Sequence, residues 1–308
     1  MAVNACQRED MSAAQDGEEI LFCSNLAGAS ATKADVDIPD GYTIQVEMYQ
    51  NGTVAVIGTA SYTTSGSTLV AGALRLYWPA ESTAEYAFQA TAGSTSLEED
   101  QTTLANLRAQ DKLLGSAYLT GDNENVMNYH TRKQWGQADV TNRRVPLHMK
   151  HQRSLITVIL KAGVGVHRED LAHASNLKVD IFNHGSGAQT IRSYSSATTV
   201  DYTAGDEGGA ASGVNTTQFQ AIVEPYDYKT NSTALVANIY LSGQRFSFTA
   251  GNDQTAPNDS YNLVAGKNLV LTVTLNRGTH QETKISAQIE DWATTSPTTA
   301  TIDDFGNQ

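Results

Sequence analysis

The sequence predicts an all-β protein of two tandem β-sandwich domains. Three observations predict it. The polar share of the 308 residues comes from Thr, Ser, Asn, Gln and Gly, with only 17% charged residues against 40% hydrophobic, and that mixture suits strands and turns. Short apolar runs alternate with period two, the mark of half-buried strands. Gly, Asn, Asp and Pro punctuate those runs, and the length fits two domains of about 150 residues each.

Taken in order, residues 1–17 are polar and form a tether. The first sandwich spans 18–145, beginning with the strand "EEILFCSN", in which Ile20 and Phe22 alternate with Leu21 and Cys23. "LAGASATKADVD" follows as a small, polar loop. "YTIQVEMYQ" sets Ile44, Val46 and Met48 on one face and Thr43, Gln45 and Glu47 on the other. Asn51-Gly52 then predicts a hairpin into "TVAVIGTASY". "GALRLYWP" and "AEYAFQATA" are two further strands. Between Thr102 and Gly115, the spacing of Leu104, Leu107, Leu113 and Leu114 predicts a short helix ending at the glycine.

The second sandwich spans 146–308, joined to the first near Arg144. "VPLHMKHQRSLITVILKAG" opens it as a strand apolar on both faces, hence central in its sheet. "LKVDIFN", "QFQAIVEP", "ALVANIYLSG", "QRFSFTA", "KNLVLTVTLNR" and "TKISAQIEDW" complete about seven strands, and 202–215 reads as a loop.

Site chemistry is sparse. No catalytic nucleophile, paired-carboxylate, phosphate-loop, dinucleotide or zinc-protease signature occurs, so neither an enzyme nor a cofactor or metal site is expected. His148 and His151 are three apart on a strand, which places them on opposite faces. "GDNEN" (121–125) and "GNDQTAPND" (251–259) lack calcium-loop spacing and read as turns. Asn51, Asn215, Asn231 and Asn258 fit the N-x-[ST] pattern, which is frequent by chance in Thr-rich sequence. Tyr42, Tyr49, Tyr62, Tyr77 and Tyr86 either form a glycan platform or line cores and edges. The net charge of −13 excludes a nucleic-acid or anionic-membrane footprint, and no run of about 18 apolar residues spans a bilayer.

Cys6 and Cys23 are the only cysteines. Cys6 has three readings: a disulfide with Cys23 across 16 intervening residues, a buried thiol, or a lipid attachment site. "Val3-Asn4-Ala5-Cys6" resembles the end of a lipoprotein signal, although no apolar stretch precedes it in this sequence. "Gln7-Arg8-Glu9-Asp10" resembles an acidic export tag of Bacteroides-group surface lipoproteins.

Together the lipobox-like cysteine, "TKA" after the first strand, "LYWPAESTAEYAFQA", "VPLHMKHQRSLITVIL", "YNLVAGKNLVLTVTL" and "KISAQIEDW" with Asp291-Trp292 resemble the fimbrillins of Bacteroides-type bacteria. These are the type V pilus subunits and their Mfa-like relatives, and the resemblance runs from Ile20 to about Thr301. It implies two transthyretin-like sandwiches and a surface-exposed location on the outer membrane and in the fimbrium. It also implies lipidation at Cys6, which would be the only attachment to the membrane. A protease would remove the first strand (Ile20, Leu21, Phe22), and a trypsin-like one would cut between Lys33 and Ala34. A neighbouring subunit's strand would then fill the groove. Ala300 and Ile302 are this chain's own donor-strand candidates, with thin apolar content. Other pilus subunits, the processing protease and a host surface ligand are the implied partners. The alternative is a monomeric surface lipoprotein that binds glycan or host protein through its loops.

Overall fold

The computed structural model describes residues 17–26, 40–80, 83–138, 143–173, 175, 177–185, 187–206, 208–231, 233–249, 261–276 and 284–291. In chain order its elements are β1 (Phe22–Leu26), β2 (Thr43–Gln50), β3 (Val56–Ser65), β4 (Thr68–Ala71), β5 (Glu85–Ala92), α1 (Leu104–Ala109), β6 (Leu113–Ala117), β7 (His130–Thr131), α2 (Arg132–Ala138) and β8 (Val145–His151). Then follow β9 (Ser154–Ala162), α3 (Arg168–Leu171), β10 (Leu177–Asn183), β11 (Gln189–Arg192), β12 (Tyr194–Tyr202), β13 (Ala211–Val223), β14 (Tyr226–Asp227), β15 (Leu235–Leu241), β16 (Gln244–Thr249), β17 (Asn262–Leu263), β18 (Lys267–Leu275) and β19 (Lys284–Asp291).

The chain divides into two compact units. The first holds the described residues up to Gly93 together with Lys112–His151. Its strands pair in the order β2-β3-β4-β1-β8-β6-β5, and β5 pairs again with β2, so the sheet closes on itself. This corrects the two-sheet sandwich expected here. β2 finds partners on both sides, and the inward residues of all seven strands collapse into one barrel-like core. Ile44, Val46 and Met48 point into that core as their alternation predicts. So do Tyr62, Tyr86, Phe88, Val145, Leu147 and Met149. Trp135 of α2 plugs it, its indole N–H donating to the Tyr86 carbonyl at 2.8 Å.

Three local expectations change. Asn51-Gly52 does turn, with Gly52 at φ +83°, but a register shift at Met48/Tyr49 delays β3 to Val56. "GALRLYWP" forms no extended ladder; Leu76–Trp78 lie opposite Gly17–Ile20, and the Gly72 N–H donates to the Ser61 carbonyl at 2.9 Å. The helix predicted over 102–115 stops at Ala109. Thr103 caps its start by accepting from the Asn106 N–H. Leu113 and Leu114 belong to β6 instead, one buried and one exposed as a strand requires.

The second unit holds Ser94–Asp111 and the described residues from Gln152 onward. A five-stranded sheet (β12-β13-β9-β18-β19) and a four-stranded sheet (β11-β10-β15-β16) are accompanied by the small pair β14–β17. β9 is central and buried on both faces, as its apolar run predicts. It runs antiparallel to β13 and parallel to β18. α3 lies against β9 and β13, and the Thr217 hydroxyl donates to the Leu171 carbonyl. Ser242 (φ +48°) and Gly243 (φ +81°) form the tight turn of the β15–β16 hairpin, whose central residues require positive φ.

The "VPLHMKH…ILKAG" segment is two strands rather than one. Val145–His151 completes the first unit, and the second begins again at Gln152, so the expected boundary at 145/146 moves. Ser94–Asp111 is a crossover: the chain leaves the first unit at Gly93, docks on the second, and returns at Lys112. The docking is specific. Buried Gln101 exchanges two hydrogen bonds with the backbone of Ile222, at 2.9 and 2.8 Å. Buried Arg153 donates to the carbonyls of Gln110 (2.6 Å) and Thr95 (3.3 Å) and to the Glu224 carboxylate (2.8 Å). β11 and β12 were not expected, and β13 extends back into the predicted 202–215 loop.

Candidate functional site

The site is the slot occupied by the first strand. β1 lies between β4 and β8. It runs parallel to β8 with Phe22 opposite Val145, Ser24 opposite Leu147 and Leu26 opposite Met149. On its other side it is antiparallel to β4, with Cys23 opposite Thr68, and the Ser24 N–H donates to the Ser67 carbonyl at 3.0 Å. Just upstream, Ile20 N–H donates to the Leu76 carbonyl at 2.8 Å and Trp78 N–H to the Glu18 carbonyl at 2.9 Å. The strand is therefore an interior member of the ring, with backbone partners on both sides.

Alternation sends every second side chain inward. Ile20, Phe22 and Leu26 are buried in the core cluster, and Ser24 is buried between Phe22 and Leu26. Leu21 points outward and is 42% exposed. Phe22 is the anchor: its ring meets Tyr62 edge-on with centroids 5.1 Å apart, and Phe88 stands on another side of it. Burial raises the pKa of the Tyr62 phenol, whose oxygen accepts from the Leu76 N–H at 3.3 Å.

Two ion pairs fasten the start of the segment. Arg132 donates to Glu18 at 2.6 Å, and Arg75 donates to Glu19 at 2.7 Å. Arg132 also lies 6.0 Å from the centre of the Trp78 ring. Sequence reasoning missed both pairs because their partners are more than 50 residues away. It also placed Pro146–His151 in the second unit, although the inward set Val145, Leu147, Met149 was visible as an alternation.

Of the sequence-predicted sites, Ile20, Leu21 and Phe22 fall in this slot. Cys6, Lys33, Ala34, Ala300, Ile302, Asn258 and Trp292 lie outside the described residues. Cys23 is buried, its sulfur 4.0 Å from the Val145 carbonyl. His148 stacks on Tyr118 with ring centroids 3.8 Å apart. Tyr62 and Tyr86 are core residues, and Tyr77 is exposed. In "GDNEN", burial opposes ionisation of Asp122, but bonds from the Leu119 N–H (2.7 Å) and His130 (2.6 Å) hold its carboxyl below the usual range. Glu124 of the same loop pairs with Lys150 at 3.0 Å. Among the described residues no group of three or more His, Cys, Asp or Glu could hold a metal ion, and no helix is long and apolar enough to cross a membrane.

The sequence profile of a family described as fimbrillin-like matches residues 31–292. Comparison with curated proteins returns no match. Among solved structures, a candidate cell adhesion protein of Bacteroides uniformis superposes with a TM-score of 0.54 at 16% identity, covering 89% of this chain and 98% of that one. A candidate cell adhesion protein of Bacteroides ovatus gives 0.50 at 13%, covering 92% and 100%. The tip fimbrial protein Mfa3 of Porphyromonas gingivalis gives 0.41 at 10%, covering 89% and 100%. The likeness to the two Bacteroides structures, at these identities, is likeness of fold.

Proposed function

The chain belongs to the fimbrillin-like family, and from that premise we propose that it is a structural and adhesive pilus subunit, joined to its neighbours by exchange of its first strand. The observation that carries this reading is β1 itself. It is a short segment near the start of the chain, paired on both sides, and its inward residues belong to the core. Its removal would leave the edges of β4 and β8 unpaired and uncover the apolar surface beneath Ile20, Phe22 and Leu26. Burial of three such side chains stabilises by several kcal/mol, roughly 1.5–3 each. A strand from a neighbour restores the backbone bonds and the burial together, the mode of recognition in which a strand is added to an open sheet. The contact is head-to-tail and leaves the polymer open-ended.

In this proposal Cys6 carries a lipid that holds the precursor at the outer membrane surface. A protease cuts after Lys33, before Ala34, and the subunit enters the fimbrium. Its partners are other pilus subunits, the protease and a host surface ligand. The glutamates that clamp the segment, Glu18 and Glu19, leave with it, so cutting releases the ion pairs as well as the strand.

Limited trypsin digestion, N-terminal sequencing of the product and sizing of the trimmed protein test the reading. Cleavage within residues 27–39 followed by polymers, or by uptake of an added strand, is the expected result. Trimmed protein that stays monomeric and as stable as the precursor would favour the surface-lipoprotein alternative.

A further inference from the structure

The slot has four inward positions, and one is filled badly. Ile20, Phe22 and Leu26 each place an apolar side chain in the core. The third position, between Phe22 and Leu26, holds Ser24, which is 3% exposed and faces the strand position of Leu147. Its hydroxyl has no hydrogen-bond partner. A buried hydroxyl without a partner loses its water and gains nothing, a cost of about 1–3 kcal/mol. The resident strand is thus a competent plug with a built-in defect.

We infer that the slot is selective for a partner strand whose inward residues read large aliphatic, aromatic, small apolar, large aliphatic, with alanine at the Ser24 position displacing the resident strand. This rests on the strand-exchange reading above and names the chemistry of the strand exchanged. The second position is specified by the edge-on walls of Tyr62 and Phe88, which fit a ring. The third is limited in size because the flanking Phe22 and Leu26 positions and the Leu147 position are all occupied by buried large side chains.

The same four positions test this chain's own donor-strand candidate. Laid parallel to β8, as β1 lies, residues 296–302 bring Ala300 to the third position and Ile302 to the fourth. That frame puts Ser296 and Thr298 at the first two positions, and Pro297 between them has no N–H for an interior ladder. The segment matches half of the slot, so the preferred strand comes from a different sequence.

The experiment uses the full chain with a site-specific protease sequence placed within residues 27–39, nicked so that every residue remains present. Fluorescent peptides are exchanged in under reducing conditions: Glu18–Leu26 with its native sequence, the same peptide with Ser24→Ala or Ser24→Leu, and residues 294–304. The Ser24→Ala peptide is expected to bind about tenfold tighter than the native one, since about 1.4 kcal/mol is a factor of ten. The Ser24→Leu and 294–304 peptides are expected to bind at least tenfold weaker. In the un-nicked full chain, Ser24→Ala is expected to raise the denaturation midpoint. Entry of the native peptide with no preference for alanine, equal binding of the 294–304 peptide, or an un-nicked Ser24→Ala chain no more stable than the parent overturns this inference alone. Failure of every peptide to enter overturns the strand-exchange reading and this inference with it.

Discussion

The ring of Phe22 meets that of Phe88 edge-on, centroids 5.3 Å apart and planes at 78°. Phe88 in turn meets Trp78 and Trp135 in the same manner, at 5.9 and 5.8 Å. A residue of the first strand therefore anchors an aromatic cluster whose other members come from much later in the first unit. Truncating Phe22 to alanine is expected to cost about 3–5 kcal/mol. Leu21→Ala, on the outward face of the same segment, should stay within about 0.5 kcal/mol. Urea denaturation followed by tryptophan fluorescence checks both; equal effects would remove Phe22 from its anchoring role.

Cys23 reports the state of the slot. Its thiol is buried beside the Val145 carbonyl, 4.0 Å away. In a Cys6→Ser background the folded precursor should react with a thiol reagent at least a hundredfold more slowly than the unfolded chain. Nicking and displacement by a competing strand should restore the unfolded-state rate. A thiol that is already fast in the precursor would show that the first strand opens without cleavage.

Cys6 is expected to carry the lipid. Labelled palmitate should enter the protein in its native host and fail to enter a Cys6→Ser variant. Equal labelling of the two would place the attachment elsewhere or nowhere.

Asp206 gives the second unit an acid-sensitive corner. Its carboxylate accepts from Lys161 at 2.7 Å and from the N–H and hydroxyl of Thr203, and these partners, Lys161 first, lower its pKa to about 2. A carboxyl held lower when folded than when unfolded stabilises fully above its unfolded value of about 3.9. That stabilisation fades as pH falls through about 2. The denaturation midpoint should drop across that window, and Asp206→Asn should flatten the drop while lowering the plateau above pH 5. An unchanged acid limb in the variant would assign the loss to other carboxylates.

Arg153 latches the crossover to the second unit. It is 1% exposed, and its guanidinium satisfies two carbonyls and Glu224 at once. Arg153→Met should cost about 3 kcal/mol because those acceptors lose their donor. Hydrogen exchange should accelerate first in residues 94–111. Uniform acceleration across the whole second unit would make Arg153 a general core residue instead.

Much of the architecture was readable where one face is buried and one is wet. Ile44, Val46 and Met48 lie inward, and the largely apolar 155–160 run is central, because burial of one or both faces writes itself into composition. β12 was unreadable because "YSSATTVDY" is Ser- and Thr-rich, with an alternation too weak to see without its partner β13. The barrel-like closure was hidden for a different reason. Pairing of β2 with both β3 and β5 is a long-range choice that no local pattern records. In the slot, Ile20 and Phe22 were legible as inward residues. The defect at Ser24 was not, since only the absence of a partner in three dimensions distinguishes it from an ordinary surface serine.

The parallel pairing of β1 with β8 joins residues about 120 positions apart, as the Cys23–Val145 contact shows. The ring cannot shut until nearly the whole first unit has emerged, and closing so long a loop is entropically slow. Until that moment a newly made chain offers an open slot to any strand in its surroundings. Tethering β1 to the rest of the chain answers this kinetically. A covalently linked strand competes at millimolar effective concentration, while strands of other molecules are far more dilute. On the strand-exchange proposal, the first strand, weakened by Ser24, would win by proximity rather than by fit, and a single cut in the tether would reverse the order of the competitors.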